Sequence, residues 1–222
     1  MRFQAILFDL DGTLIDSLAD IADACNLTLA ALGYPTHPIN AYRYFVGDGV
    51  KNLLLRALPP HARSEPILNQ CMETYNAQYT RIWHAKTRPY PGIPELLDAA
   101  TAQGLRLAIL SNKPHPFTVQ CVEKILAGHH FEVVMGASPR FPHKPDPQAA
   151  LHIAQTMAIP PAEFLYVGDT ATDMQTAVAA GMFPLGALWG FRTADELLAS
   201  GAKALSHSPA DLLKVCEIPV VL

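Results

Sequence analysis

The sequence predicts an α/β protein, a parallel sheet flanked by helices with a helical insertion after its first strand. Three observations carry this. From Leu105 onward short β-type runs alternate with helical patterns, the mark of βαβ units. The first run, Gln4 to Phe8, is apolar enough to lie inside such a sheet. Between these two regions the apolar residues repeat at helical spacing. With 222 residues, half of them apolar, the chain can bury a core, which suits one domain with a modest insertion and argues against disorder or a disulfide scaffold.

After the first strand, Leu18, Ile21, Cys25, Leu29 and Leu32 recur at steps of three and four and form one helical stripe. Ser17 and Asp20 stand at capping-box spacing before it and Gly33 ends it. Helix-like sequence continues through Ala57 and again from Glu65 to about Trp83. The segment Arg88-Pro89-Tyr90-Pro91-Gly92-Ile93-Pro94 is proline-dense and predicts an extended boundary before a helix over Glu95 to Ala102. Strands are then expected at Leu105 to Leu110, Glu132 to Met135, Phe164 to Val167 and Pro184 to Leu188. Helices are expected at Phe117 to Leu126, Gln148 to Met157 and Thr172 to Ala180.

Net charge is −4, and the 16 Lys and Arg residues form no basic run, so nucleic acid is not expected as a partner. Cys25, Cys71, Cys121 and Cys216 are widely spaced with no C-x-x-C pair, which suits small core residues in a reducing compartment. Asp9 and Asp11 interrupt the Met1 to Leu10 stretch before a secretory segment can form, and a cytoplasmic protein is expected. The longest uncharged span, Met174 to Phe191, carries Gly181, Pro184, Gly186 and Gly190 and reads as a helix, a turn and a strand rather than a membrane span.

Asp9 ends the first strand and therefore stands at the carboxyl edge of the sheet, where open α/β sheets bind ligands. Three other polar clusters reach the same edge: Ser111-Asn112-Lys113, Lys144 in His143-Lys144-Pro145-Asp146-Pro147, and Gly168-Asp169-Thr170 with Asp173. Each alone has a plain structural reading, as a helix cap, a turn or a solvated loop cation. Together they suit phosphate chemistry. Asp9, Asp169 and a backbone carbonyl near Asp11 offer hard oxygens to magnesium, which offsets the repulsion between carboxylates and lets one of them approach a phosphoryl group. Lys144 adds a point charge, and Ser111 with nearby N–H groups can bind phosphoryl oxygens.

These stretches, DLDGT at Asp9 to Thr13, Ser111-Asn112, Lys144-Pro145-Asp146-Pro147 and GDTATD at Gly168 to Asp173, resemble in order and placement the four motifs of the haloacid dehalogenase-like hydrolase superfamily. The resemblance implies a Rossmann-like core over 1–14 and 88–222 and a helical cap domain over 15–87. It further implies that Asp9 is the nucleophile of an aspartyl-phosphate mechanism, that Asp11 is the general acid and base, that Thr13 steadies Asp11 and the loop, and that Lys144 is catalytic. Magnesium would be held by Asp9, Asp11, Asp169 and Asp173, and substrate by Gly12, Ser111, Asn112 and Lys144. The acid at Asp11 argues against dehalogenation, since a halide leaves without a proton.

FVGDGV at Phe45 to Val50, Pro91-Gly92, SNKP at Ser111 to Pro114 and Trp189-Gly190-Phe191 are similar to bacterial phosphoglycolate phosphatases. The expected substrate is a small phosphate ester, 2-phosphoglycolate first, with Lys51 or Arg56 available for its carboxylate. Both cations read equally well as solvated helix ends. The histidines show no zinc spacing, and Trp189 and Phe191 either line the cleft or pack against the buried strand. A phosphomutase, a phosphatase of another small phosphate, a receiver-like phosphoacceptor module and an inactive scaffold are the alternatives, and a monomer or homodimer is expected.

Overall fold

The computed structural model describes residues 3–217. β1 (Ala5–Phe8) is fully buried. Ile6 and Phe8 face one hydrophobic cluster, and Ala5 and Leu7 face another on the opposite side of the sheet, as the two-residue pleat requires. The chain then makes β2 (Ile15–Asp16), four helices over 18–82, and β3 (Arg88–Pro89), which pairs antiparallel with β2. The outgoing and returning chain thus run side by side where the helical segment leaves the sheet.

That segment consists of α1 (Leu18–Ala31), α2 (Ile39–Phe45), α3 (Val50–Ala57) and α4 (Glu65–Ile82). α1 buries Leu18, Ile21, Cys25 and Leu29 of the predicted stripe, while Leu32 follows the helix and is partly buried; the helix ends in a 6→1 bond from the Tyr34 N–H to Leu29 O, which Gly33 permits at φ +76. α4 presents Leu68, Cys71, Tyr75 and Tyr79 on one buried face and packs along α1. The expected capping box at Ser17 and Asp20 does not form. Asp20 instead accepts from the Lys86 and Thr87 N–H groups and the Thr87 hydroxyl, at 2.7 to 3.0 Å, and so ties the end of the segment back to its beginning. Ser17 is thereby left to another partner.

The rest of the chain runs α5 (Ile93–Ala102), β4 (Arg106–Pro114), α6 (His115–Ile125), β5 (Val133–Ala137), α7 (Gln148–Thr156), β6 (Phe164–Gly168), α8 (Ala171–Ala179), β7 (Phe183–Ala187), α9 (Ala194–Ala199), β8 (Ala204–Ser206) and α10 (Pro209–Glu217). Among the described residues the main sheet has six parallel strands in the order β5-β4-β1-β6-β7-β8. The Rossmann-like α/β class is as expected. Chain order moves one way from β1 to β5 and the other way from β6 to β8, so the topology reverses at β1, and the carboxyl ends of β1 and its neighbours frame the site.

Two features depart from the sequence reading. β4 extends through Ser111, Asn112 and Lys113 to Pro114, with a register shift after Leu110, because Pro114 still pairs with Ala137 of β5. β8 and its flanking helices lie where no element is predicted; β8 is short and takes its place by pairing with β7. Cys25, Cys71 and Cys121 are free and buried as expected, while the side chain of Cys216 lies outside the described residues. Among the described residues no helix is long and apolar enough to cross a membrane, and the uncharged span becomes α8, a turn at Gly181 and β7.

Candidate active site

Parallel pairing sets β1 and β6 in register, Phe8 beside Val167, so the two loops that follow leave the sheet together. Asp9 follows β1, Asp169 follows β6, and Asp173 sits in the first turn of α8. Oxygens of these three buried carboxylates lie within 4.8 Å of one another. Lys144, 5% exposed as a residue, donates from Nζ to Asp9 Oδ1 at 2.8 Å, to Asp173 Oδ1 at 2.7 Å and to Leu110 O at 3.1 Å. The other Asp173 oxygen accepts from the Thr170 N–H and hydroxyl, completing a capping box that anchors α8.

Asp169 Oδ1 accepts from the Thr13 hydroxyl at 2.9 Å and Oδ2 from the Phe191 N–H at 2.8 Å. Gly12 makes this possible: at φ +93 a Cβ there would lie 2.3 Å from Asp169 Oδ2. Thr13 therefore steadies Asp169 rather than Asp11, and its carbonyl accepts from Trp189 Nε1 at 2.8 Å.

Burial raises the Asp9 carboxyl to about 7 although Lys144 pulls it down. Burial together with the Asp9 and Asp173 charges raises Asp169 well above the usual carboxylate range. Burial lowers Lys144, but Asp173 and Asp9 outweigh it and hold the ammonium well above its ordinary value. One lysine among three buried carboxylates leaves negative charge uncompensated, and a donor set of hard oxygens suits a metal cation that would compensate it.

Asp11 turns away from this trio. Its two oxygens accept from Lys113 Nζ at 2.9 and 3.0 Å, and Oδ1 also from the Ser17 hydroxyl at 2.5 Å. The expectation that its carboxylate joins the metal set is corrected by these partners. Asn112 is also spoken for: its Nδ2 donates to Lys144 O and Gly47 O, and its Oδ1 accepts from the Lys144 N–H. The side chain expected to hold substrate instead fixes the Lys144 loop. Ser111 is buried and lines the cavity in front of Asp9 and Asp11.

The cavity lies between the sheet edge and the helical segment, which contributes Ile21, Val50, Leu53, Tyr75 and Tyr79. Lys113 lines it from the other side, while Lys51 and Arg56 do not reach it. Lys51 is exposed and pairs with Glu65 at 3.2 Å. Arg56 points at Asp48 and Phe45 O, because the apolar face of α3 is the one that turns inward. The loop preceding α3 is held over the sheet edge by Thr172 Oγ1 donating to Asp48 Oδ1 at 2.7 Å and by Arg192 donating to Val46 O at 2.9 Å. Burial raises Asp48, but Thr172 and Arg56 hold it below the usual carboxylate value.

Lys113, Ser17 and Tyr79 are the site residues that sequence reasoning gave no such role. Lys113 stands in the Ser111 cluster, but its partner is 102 residues distant. Ser17 passes as a helix cap, and Tyr79 as one more apolar position on a helix.

The family model for haloacid dehalogenase-like hydrolases matches residues 6–187. A phosphoglycolate phosphatase of Nitrosospira multiformis is 31% identical over 220 residues, covering 98% of this chain and 97% of its own. One of Pseudomonas putida is 33% identical, covering 97% of this chain and 80% of its own. Among solved structures, one described as a predicted phosphoglycolate phosphatase from Haemophilus somnus superposes with a TM-score of 0.90 at 27% identity, covering 97% of this chain and 99% of its own. A haloacid dehalogenase-like hydrolase from Streptococcus pneumoniae gives 0.88 at 26%, with coverage of 97% and 99%.

Proposed function

The chain belongs to the haloacid dehalogenase-like hydrolases, and from that premise we propose that it is a magnesium-dependent phosphomonoesterase working through an aspartyl-phosphate on Asp9. The observation that carries this reading is the juxtaposition of Asp9 with Asp169, Asp173 and Lys144, where Asp9 also lines a cavity shared with Asp11. Asp9 and Asp169, with Asp173 beside them, would hold the magnesium ion. When bound, it would offset carboxylate charge and withdraw electron density from the phosphoryl group.

An Asp9 oxygen attacks phosphorus while Lys144 holds the other. The phosphorus–oxygen bond to the leaving group breaks, and the leaving oxygen takes a proton from Asp11. Water then attacks phosphorus and gives a proton to Asp11, the acyl phosphate bond breaks, and orthophosphate leaves with Asp9 restored. The structure holds Asp11 with both oxygens accepting from Lys113, an arrangement suited to taking the proton from water. Donating one to the leaving oxygen requires Lys113 to turn towards the substrate. Ser111 and the N–H groups after Asp9 receive the remaining phosphoryl oxygens.

The substrate we assign is a small phosphate ester, 2-phosphoglycolate first, in line with the names of the relatives. The domain division we assign is a core of 1–14 and 88–222 with a cap of 15–87, supported by the paired β2 and β3 at its base. The large helical segment after β1 disfavours the receiver-like reading, which expects none. The test is orthophosphate release from a panel of small phosphomonoesters with magnesium and with chelator. Chelator-sensitive release supports the reading, and a stable phosphoprotein without turnover sinks it.

A further inference from the structure

Resting on the phosphatase reading, we infer that Lys113 and the Tyr79 hydroxyl form a subsite for a carboxylate carried on a short leaving group. The cavity is about 50 Å³, room for only a few waters at roughly 10–15 Å³ each. A leaving group a few non-hydrogen atoms long fits this space. The wall is largely apolar, with Ile21, Val46, Val50, Leu53 and Phe117, and hydroxyls of a sugar would meet it unpaired.

Few polar groups remain for the leaving group. Asp9, Asp11 and Ser111 surround the phosphoryl end, and the Asn112 carboxamide is committed to Gly47 and Lys144. Tyr75, the exposed Asn76, Lys113 and Tyr79 are left, and of these Lys113 alone carries a charge. Tyr79 is 3% exposed, yet its hydroxyl has no hydrogen-bond partner, a rare state for a buried polar group. Its ring is fixed by stacking on Tyr75 at 5.5 Å and by edge contact with Phe117 at 5.0 Å. Lys113 Nζ lies 5.0 Å from the centre of that ring. An ammonium has three donors, and Asp11 takes two of them. A cation and a hydroxyl beside it together present donors to the cavity, which calls for an anion with two accepting oxygens, and a carboxylate meets that requirement.

The test uses the full-length, magnesium-loaded protein and two esters of equal length, 2-phosphoglycolate and 2-hydroxyethyl phosphate, which differ in the carboxylate. We expect kcat/KM to favour the carboxylate by about 100-fold, and Tyr79→Phe to shrink that ratio about tenfold, chiefly through KM. A ratio near one in the parent protein, or an unchanged ratio in Tyr79→Phe, overturns the subsite and leaves the phosphatase reading standing. Calorimetric binding of both esters to Asp9→Asn and to Asp9→Asn/Tyr79→Phe gives a readout independent of turnover. A preference for 2-phosphoglycolate that Tyr79→Phe removes supports the subsite; equal binding of the two esters overturns it. The same preference with no phosphate release from the parent protein keeps the subsite and sinks the phosphatase reading instead.

Discussion

The Lys113 ammonium spans both carboxylate oxygens of Asp11, at 2.9 and 3.0 Å, with Lys113 buried and Asp11 largely so at the floor of the cavity. A charge pair in that setting is costly to break from one side, because the partner remains buried without compensation. Lys113→Met is expected to lower unfolding free energy by ~3 kcal/mol, and Lys113→Met/Asp11→Asn to recover most of it. Urea denaturation of the full double-mutant cycle reads the coupling; strictly additive losses would mean that the pair is not the source.

Asp9→Asn keeps the shape of the side chain and removes its nucleophilic charge. Phosphate release is expected to fall by ~10⁴-fold or more, while the protein stays folded. Asp11→Asn is expected to fall by ~10²–10⁴-fold, the usual worth of a general acid and base. Normal turnover by Asp9→Asn with an intact circular dichroism spectrum would overturn its assignment.

Thr13→Val removes the hydroxyl that holds Asp169 Oδ1. A group that orients a metal-binding carboxylate is typically worth 10- to 100-fold in affinity, and the magnesium concentration for half-maximal activity is expected to rise by about that factor. A magnesium titration that leaves it unmoved would show that Phe191 N–H alone suffices.

Stability of the metal-free protein is expected to depend on pH between the ordinary carboxylate range and neutrality. Burial raises Asp9 to about 7 and Asp169 well above the usual range. A raised carboxyl contributes stability that is fully present below its unfolded value, about 3.9, and is lost as pH rises through the folded value. Melting temperature in chelator should therefore fall as pH rises from about 4 to about 7, and saturating magnesium should flatten the slope. A flat profile in chelator would contradict the burial argument.

Lys51 pairs with Glu65 on the surface, with both side chains more than half exposed. Lys51→Ala is expected to change KM for 2-phosphoglycolate by less than about twofold and stability by less than about 1 kcal/mol. A large rise in KM would return Lys51 to the substrate site and move the cavity boundary.

Most strands and helices were legible in the sequence, because apolar runs and helical repeats are local patterns, while the extension of β4 and the whole of β8 were not. Asp9, Ser111, Lys144, Asp169 and Asp173 were placed at one sheet edge by that reasoning, and the structure brings them there. What each polar group does with its hydrogen bonds was not legible. Asp11 could equally face a metal or a lysine, and the choice depends on β4 lying beside β1 with its end extended to Lys113. Asn112 and Thr13 were expected to touch substrate or Asp11; strand order and loop approach give them Lys144 and Asp169 instead. The rotation of α3 and α4 about their axes turns Leu53 and Tyr79 inward and leaves Lys51 and Arg56 outside. Short-range periodicity determined the elements and the edge on which chemistry gathers. Contacts between residues a hundred positions apart decided the partners, since buried charges take whichever counter-charge the assembled fold sets within reach.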